Sequence, residues 1–300
     1  MPSINEFINC LRKRLCWIKY GVKTSDKLVF LTYALLNSFP RTLINKVSII
    51  ENMRLSYLSC FETNFKGKVV CVNGTKYTLI DDQSFRVVTP DFEPWMWGYL
   101  KPKEGDVFLD VGAHIGKYTL QVAKIVGESG SVIAIEPMTE CYKALKKNIS
   151  LNNFNNIILL NIAAWNKSCN LKLFIGDKQG LNSIKYNMGL GYVEVEAKAL
   201  DMVLSQINVN RVDWIKIDVE GAEYEVLQGL KNTLKKDNPK LIVEVKKENK
   251  RKVLDIMKEL NYKVYPINGS LTELHEYYYF RRTKSPEVHG EVSDRERTHL

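Results

Sequence analysis

The chain has 300 residues, of which 45% are apolar and 26% charged, and its formal net charge is +9. This composition excludes wholesale disorder and predicts one full-sized domain with an extension. The six cysteines form no CxxC pair and no His/Cys spacing typical of zinc, so we expect free thiols in a reducing, cytoplasmic compartment.

Residues 1–64 have helix-like apolar spacing with basic residues interleaved, and they predict a helical extension in which Pro40 ends one helix. Two interpretations stay open. The apolar side packs on the catalytic domain, or residues 1–60 make peripheral contact with the inner face of the membrane, with lysines at the headgroups. The longest apolar stretch, residues 28–39, is too short to span a bilayer, and no secretory signal is recognisable.

Residues 65–99 predict a small β element that leads into the core. Apolar and polar positions alternate over residues 68–72, 77–80 and 86–88. Asn73-Gly74 stands between the first two runs, and this dipeptide is a strong hairpin signal because both residues tolerate positive φ.

Residues 100–282 alternate between predicted strands and helices, which indicates a doubly wound, mostly parallel α/β sheet with helices on both faces. The predicted strands cover residues 107–111, 131–135, 157–162, 214–218, 241–245, 262–267 and 277–281, and the last could run antiparallel. The predicted helices cover residues 117–126, 139–152, 223–235 and 250–260, and an inserted hairpin pairs residues 171–175 with 193–197. Residues 283–300 lack apolar periodicity and predict a disordered tail.

The segment Asp110-Val-Gly112-Ala113-His114-Ile-Gly116 lies directly after a buried strand and directly before a helix. Glycine lets the backbone approach a ligand closely, and the N–H groups at a helix start can bind a carboxylate or phosphate. The segment therefore predicts a cofactor site that includes Asp110, Gly112, Ala113, His114 and Gly116.

Asp110 in this turn helps to distinguish between possible cofactors. The dinucleotide fingerprint G-x-G-x-x-G is absent, because Ala113 directly follows Gly112 and the third glycine is missing. Asp110 would also repel a pyrophosphate. S-adenosylmethionine has an ammonium that can meet an acid, a carboxylate that can meet backbone donors, and no phosphate, so the turn favours this cofactor.

The next two strands end in further candidate cofactor residues. Glu136 ends the second strand, where an acid can accept hydrogen bonds from both ribose hydroxyls. Asn161 and Ala163 follow the third strand, where the adenine would lie. The alternatives are a solvated Glu136 and ordinary loop and packing residues at Asn161 and Ala163.

The fourth strand carries candidate catalytic acids. Lys216 and Asp218 share one face of this strand, and Asp218 lies near its carboxyl end, the edge at which open α/β sheets bind ligands. Asp218 and Glu220 are therefore the candidate catalytic residues. Glu223 and Glu225 are interpreted as first-turn residues that favour the helix dipole.

Four stretches, VFLDVGAHIGKYTL, IAIEP, VEAKALDMVL and DWIKIDVEGAEYEVLQG, resemble the FkbM family of S-adenosylmethionine-dependent methyltransferases in order and spacing. The resemblance implies a Rossmann-like class I methyltransferase fold with a seven-stranded sheet, and O-methylation of hydroxyls on sugars, glycans or secondary metabolites. It also implies a set of residues at the cofactor, namely Asp110, Gly112, His114, Gly116 and Glu136, with Asp218 and Glu220 near the reacting centre. His114 departs from the family, in which Asn is more usual.

Methyl transfer depends mainly on holding the acceptor oxygen close to the methyl carbon. Asp218 or Glu220 is the candidate general base or orienting group for an acceptor hydroxyl. No metal is expected. The insertion at residues 166–198 and the hairpin at 65–88 are expected to shape the acceptor pocket. The aromatic residues Trp95, Trp97 and Tyr99 are either stacking walls or a seal on the core edge.

Two other functions stay as alternatives. A non-catalytic or membrane-associated binding protein that retains the fold is suggested by the basic N-terminal residues. A nucleic-acid methyltransferase is disfavoured, because such enzymes place an Asn/Asp-Pro-Pro-aromatic turn after the fourth strand, where this chain has Asp218-Val-Glu220-Gly221. We expect a small-molecule or glycan acceptor and no nucleic-acid partner, and the sequence gives no prediction of the oligomeric state.

Overall fold

The computed structural model describes residues 65–176, 182–187, 189–267 and 275–282, preceded by residues 15–23 and the single residues 11, 27 and 31. Most of the expected helical extension and the expected tail at 283–300 lie outside these residues. In the described part of the chain, no helix is both long enough and apolar enough to cross a bilayer.

The Asn73-Gly74 hairpin is confirmed. Strands β1 (Val69–Val72) and β2 (Thr75–Thr78) pair antiparallel, and Asn73 and Gly74 have φ of 49° and 70°. Tyr77 of the hairpin belongs to the same buried cluster as Phe65 and as Leu145 of the main domain.

The strand expected at residues 86–88 is wrong, because these residues belong to helix α1 (Asp82–Val88). Asp81 caps this helix by accepting a hydrogen bond from the backbone N–H of Ser84 at 2.6 Å, and the Ser84 hydroxyl oxygen accepts one from the N–H of Asp81. Such a capping box satisfies N–H groups that a helix start leaves unpaired. Helix α2 (Met96–Tyr99) follows.

The alternation of strands and helices over residues 100–282 is confirmed. The further strands are β3 (Val107–Val111), β4 (Ser131–Ile135), β5 (Ile157–Leu160), β6 (Ala163–Trp165), β7 (Cys169–Phe174), β8 (Tyr192–Ala199), β9 (Trp214–Ile217), β10 (Lys240–Lys246), β11 (Tyr262–Pro266) and β12 (His275–Arg282). The further helices are α3 (Lys117–Val126), α4 (Thr139–Leu151), α5 (Leu200–Gln206), α6 (Glu223–Gln228), α7 (Lys231–Lys236) and α8 (Lys250–Glu259).

Seven of these strands form the central sheet, in the order β11-β12-β10-β9-β3-β4-β5. The pairs from β10 through β5 are parallel, and β12 runs antiparallel to both of its neighbours. This is the doubly wound, Rossmann-like arrangement. The strand order reverses between β3 and β9, and ligands bind at the crevice outside the carboxyl ends of the strands at such a point.

The inserted hairpin is confirmed as β7 and β8, which pair antiparallel, and β6 adds a third strand parallel to β8. The single helix expected over residues 223–235 is wrong, since α6 ends at Gln228 and α7 begins at Lys231. The Asp201 carboxylate accepts hydrogen bonds from the N–H groups of Asn232 and Thr233 at 2.8 and 2.9 Å. A helix start capped in this way explains the second helix.

Candidate active site

The carboxyl ends of β3, β4, β9 and β10 border a cavity of about 480 Å³. This volume lies within the usual range of ligand sites, about 300–1,000 Å³. Of the residues predicted to bind the cofactor or to act in catalysis, seven line the cavity, namely Gly112, Ala113, His114, Glu136, Ala163, Asp218 and Glu220. Asp110, Gly116 and Asn161 lie outside its lining.

The glycine turn after β3 presses against the end of β9. Gly112 has φ of 81°, and a Cβ at this position would lie 1.8 Å from the carbonyl oxygen of Asp218. The N–H groups of Gly112 and Ala113 both donate to the carbonyl oxygen of Ile135 at 3.0 Å. Glycine is therefore required for the close approach, and these two N–H groups fix the turn to β4.

Asp110 lies beneath the turn, which corrects the expectation of an acid at its mouth. The residue is 1% exposed, and its Oδ2 accepts a hydrogen bond from the Thr119 hydroxyl at 2.6 Å. Its Oδ1 is 3.7 Å from the Lys216 ammonium. Burial raises the pKa of Asp110, while Lys216 opposes this effect. The carboxyl group thus contacts the protein interior, and its direct contact with a ligand stays a prediction.

Gly116 and Asn161 support the site from outside the lining. Gly116 precedes α3 with φ of 94°, and a Cβ there would lie 2.3 Å from the Leu145 side chain. The Asn161 amide donates to the carbonyl oxygens of Glu136 and Pro137 at 2.8 and 3.0 Å. Asn161 therefore holds the loop that follows β4.

Glu136 lines the cavity, and both oxygens of its carboxyl group accept hydrogen bonds. Its Oε2 accepts a hydrogen bond from the N–H of His114 at 2.7 Å, and its Oε1 accepts one from the N–H of Met138 at 2.9 Å. Burial raises the pKa of Glu136 to about 7, against the effect of these two donors. The side chain is therefore fixed in direction and titrates near neutral pH.

His114 follows Ala113 in the glycine turn and lines the cavity. It has φ of 52°, and its Nε2 is buried without a hydrogen-bond partner in the described part of the protein. Burial lowers the pKa of His114, so the imidazole is neutral at pH 7. A buried polar atom without a partner at a cavity is an observation that a bound ligand would explain.

Acids and lysines alternate at the other end of the cavity. The Lys216 ammonium is 3.3 Å from the Asp218 carboxylate, and the Lys246 ammonium is 2.5 Å from that of Glu220. Glu244 on β10 also lines the cavity. One oxygen from each of Asp218, Glu220 and Glu244 lies within 4.8 Å of the others. We call these three residues the carboxyl cluster.

The three acids of the carboxyl cluster have different proton affinities. Burial opposes the ionisation of Asp218, but Lys216 and a hydrogen bond with Glu244 outweigh burial and lower the pKa of Asp218 to about 2. Burial and the Asp218 charge raise the pKa of Glu220, against the effect of Lys246. Burial and Asp218 raise the pKa of Glu244 well above its usual value. Three carboxyl groups could also hold a cation, but Lys216 and Lys246 already supply positive charge, and the absence of a metal stays a prediction.

Sequence reasoning missed Glu244, Glu93 and Lys117. Glu93 accepts hydrogen bonds from the hydroxyls of Tyr118 and Tyr277, each at 2.5 Å. The Lys117 ammonium donates to the carbonyl oxygen of Phe92 at 2.5 Å, and burial lowers the pKa of Lys117 to about 8. Only Glu244 had a usable signal, since it is a charged residue near the carboxyl end of an otherwise apolar predicted strand.

Trp95, Trp97 and Tyr99 were expected either to form stacking walls or to seal the core edge, and their positions differ. Trp95 lines the cavity and packs edge-on against Tyr277, with ring centroids 4.6 Å apart. Trp97 and Tyr99 do not line the cavity, and they pack in the core against Tyr118 and Tyr279. Trp95 is thus available to an acceptor, whereas the other two seal the core edge.

Part of the insertion lines the cavity, and its role in shaping an acceptor pocket stays a prediction. Its residues Asn182 and Ile184 line the cavity, and the Ser183 hydroxyl donates to the backbone carbonyl of Glu220 at 2.6 Å. Helix α1 adds Arg86 to the lining. The insertion thus lies beside Glu220, whereas Phe85 of α1 belongs to the same buried cluster as Ala113 of the glycine turn.

A family model described as the methyltransferase FkbM domain matches residues 110–264, more than half of the chain. The chain belongs to the FkbM methyltransferase family. The resemblance seen in the sequence is therefore confirmed.

The curated relatives of this FkbM methyltransferase include Methyltransferase 1 of Beauveria bassiana and methyltransferase sdnD of Sordaria araneosa, each 27% identical to it. The matches cover 43% and 41% of the chain, and the chain spans about 60% of the length of these relatives. Among solved structures, the FkbM methyltransferase of Methylobacillus flagellatus is 17% identical, with a TM-score of 0.46. That match covers 61% of this chain and 45% of the other.

The residues of the cavity fit the cofactor of an FkbM methyltransferase. The cavity has a suitable volume, and the backbone of Gly112 lines it without a side chain. Glu136 offers carboxylate oxygens at the end of β4, and the Nε2 of His114 lacks a partner. The three acids of the carboxyl cluster line the same cavity, together with the aromatic side chains of Phe92, Trp95, Tyr118 and Tyr277.

Proposed function

We propose that this FkbM methyltransferase methylates a hydroxyl oxygen on a sugar, a glycan or a secondary metabolite. The observation that carries the proposal is the carboxyl cluster, whose three acids line the same cavity as Gly112 and Glu136. Ionised carboxylates accept hydrogen bonds from hydroxyls and can also take up the proton that an alcohol loses on methylation.

The cofactor end of the cavity is assigned to the residues around the turn. Gly112, Ala113 and His114 would contact the amino-acid part of S-adenosylmethionine, Glu136 the ribose hydroxyls and Ala163 the adenine. Asp110, Gly116 and Asn161 act from behind this surface by holding the turn and the loop after β4. When bound, S-adenosylmethionine supplies an electrophilic methyl group on a positively charged sulfur.

Asp218 and Glu220 have different roles in this proposal. A general base works best when its pKa lies near the operating pH. The pKa of Asp218 is about 2, so this carboxylate accepts a hydrogen bond from the acceptor hydroxyl and orients it. The pKa of Glu220 is raised, so Glu220 is the better group to receive the hydroxyl proton.

The surroundings of the acids support a hydroxylated acceptor. Trp95 offers an aromatic face to the apolar side of a ring. The segment after β9, Asp218-Val-Glu220-Gly221, lacks the Asn/Asp-Pro-Pro-aromatic turn of nucleic-acid base methyltransferases, which disfavours nucleic acid as the acceptor. Arg86 from α1 and Asn182 from the insertion also line the cavity and add side-chain donors.

The test begins with calorimetric titration of the purified chain with S-adenosylmethionine. Transfer of an isotope-labelled methyl group is then measured on a panel of sugars, glycans and hydroxylated metabolites. Glu220→Gln should lower kcat about 100-fold or more, while Asp218→Asn should chiefly raise the KM of the acceptor. Glu194→Gln, at an exposed position, is the control. Cofactor binding with unchanged turnover in both acid variants would remove the assigned roles.

A further inference from the structure

Glu244 is an acid in the cavity to which the proposed function assigns no role. It lies on β10, is 4% exposed, and lines the cavity. The parallel pairing of β9 with β10 sets Ile242 beside Lys216 and Val243 beside Ile217. Continuing this register by one residue sets Glu244 beside Asp218. The two acids therefore meet because of strand pairing, at the carboxyl ends of two neighbouring strands.

One carboxyl oxygen of Asp218 and one of Glu244 lie within 4.8 Å of each other. Ionised carboxylates have no hydrogen to donate, so a hydrogen bond between these two groups requires one proton. Two carboxylates at such a distance in a buried site do not both ionise, because their charges repel.

The neighbouring lysines decide which acid keeps the proton. The Lys216 ammonium, 3.3 Å away, stabilises the ionised form of Asp218. The Lys246 ammonium, 2.5 Å from Glu220, stabilises the second negative charge of the cluster there. The arrangement with the least repulsion has ionised Asp218 and Glu220 and a neutral Glu244.

We propose that Glu244 is a positioning residue of the acceptor site, which donates its carboxyl O–H to Asp218 and fixes the direction of the Asp218 carboxylate. The proposal rests on the proposed function of Asp218 as the group that orients the acceptor hydroxyl. A carboxylate held by Glu244 and Lys216 loses its rotational freedom before the acceptor arrives. Such preorganisation favours a geometry in which the hydroxyl oxygen lies in line with the methyl group.

The first test is infrared spectroscopy of the cofactor-free protein at neutral pH. The wild type should show the C=O band of a protonated carboxyl that Glu244→Gln removes and that the exposed control Glu194→Gln retains. Glu136→Gln identifies the separate contribution of Glu136, whose pKa is also raised. In Asp218→Asn the Glu244 band should shift, because its proton then faces a neutral amide.

If the wild type and Glu244→Gln show the same protonated-carboxyl bands, Glu244 is ionised and the proposal is overturned. A Glu244 band that stays unchanged in Asp218→Asn also overturns it, since the proton would then not be shared with Asp218. Neither result depends on an acceptor or on turnover. This test can therefore fail while O-methylation holds, and it can succeed while O-methylation fails.

The second test compares two substitutions in turnover. The Gln amide in Glu244→Gln can still donate to Asp218, so kcat should stay within about threefold of the wild type. Glu244→Ala removes the donor and should lower kcat roughly tenfold or more. Both variants should bind S-adenosylmethionine with the wild-type Kd by calorimetry, which also shows that they fold. Equal losses of kcat in the two variants would refute the positioning role.

Discussion

Replacing Gly112 by alanine tests the closest contact in the cofactor turn. The new Cβ would lie 1.8 Å from the carbonyl oxygen of Asp218 and 2.9 Å from its carbonyl carbon. Both atoms belong to the backbone, so no side chain can rotate away. The turn and the end of β9 must therefore move apart, and that movement displaces Asp218 together with the cofactor turn.

The expected free-energy cost has two parts. A residue with a Cβ at φ of 81° costs about 1–2 kcal/mol relative to glycine. Forcing extra atoms into a packed site adds roughly 1–3 kcal/mol. We therefore expect Gly112→Ala to lose about 2–5 kcal/mol of unfolding free energy.

Gly67→Ala separates the two parts. Gly67 has nearly the same φ, 80°, and a Cβ there would meet nothing within 4 Å. This control should lose only the conformational part of the unfolding free energy and should bind S-adenosylmethionine normally. Urea unfolding and calorimetric titration measure both quantities. The close-approach argument is refuted if Gly112→Ala is no less stable than Gly67→Ala and keeps the wild-type Kd for the cofactor.

Two further predictions concern buried charge. Lys216→Met leaves the carboxyl groups of Asp110 and Asp218 without their shared ammonium and should cost about 3–5 kcal/mol of unfolding free energy at neutral pH. This loss should shrink at low pH, where the acids are protonated. Urea unfolding at several pH values measures it, and a difference in unfolding free energy that does not change with pH would contradict the prediction. For Glu136 the pKa rises from 4.5 to about 7 on folding, so the folded state holds the proton more tightly. As pH rises through this window, the unfolding free energy of the wild type should fall by roughly 3 kcal/mol relative to that of Glu136→Gln. Parallel curves of unfolding free energy against pH for the two proteins would argue against this prediction.

The order of elements in the core was predictable from residues close together in the chain. Buried strands are recognised by short apolar runs, and the Asn73-Gly74 hairpin by two residues that tolerate positive φ. The prediction failed at residues 86–88, where three alternating positions suggested a strand. The capping box of Asp81 and Ser84 outweighs so short a pattern, because it satisfies the first N–H groups of a helix.

The burial of Asp110 was not predictable from its own segment. Asp110 and Lys216 are 106 residues apart, and they become neighbours only because β3 pairs with β9 in a register that sets them side by side. The position of Glu244 beside Asp218 was not predictable either, because it depends on the pairing of β10 with β9. Strand order and register depend on packing across the whole sheet, so local patterns identified the acids but not their partners.

Lys216 links the two ends of the cavity. Its ammonium is 3.7 Å from Asp110 and 3.3 Å from Asp218, and it donates to the carbonyl oxygen of Gly112 at 3.3 Å. The first and last of these partners belong to the cofactor turn and its strand, whereas Asp218 belongs to the acceptor end. Because one buried charge holds all three, a shift of the turn changes the field at Asp218. The position of the methyl donor and the orientation of the acceptor are thus set by the same side chain.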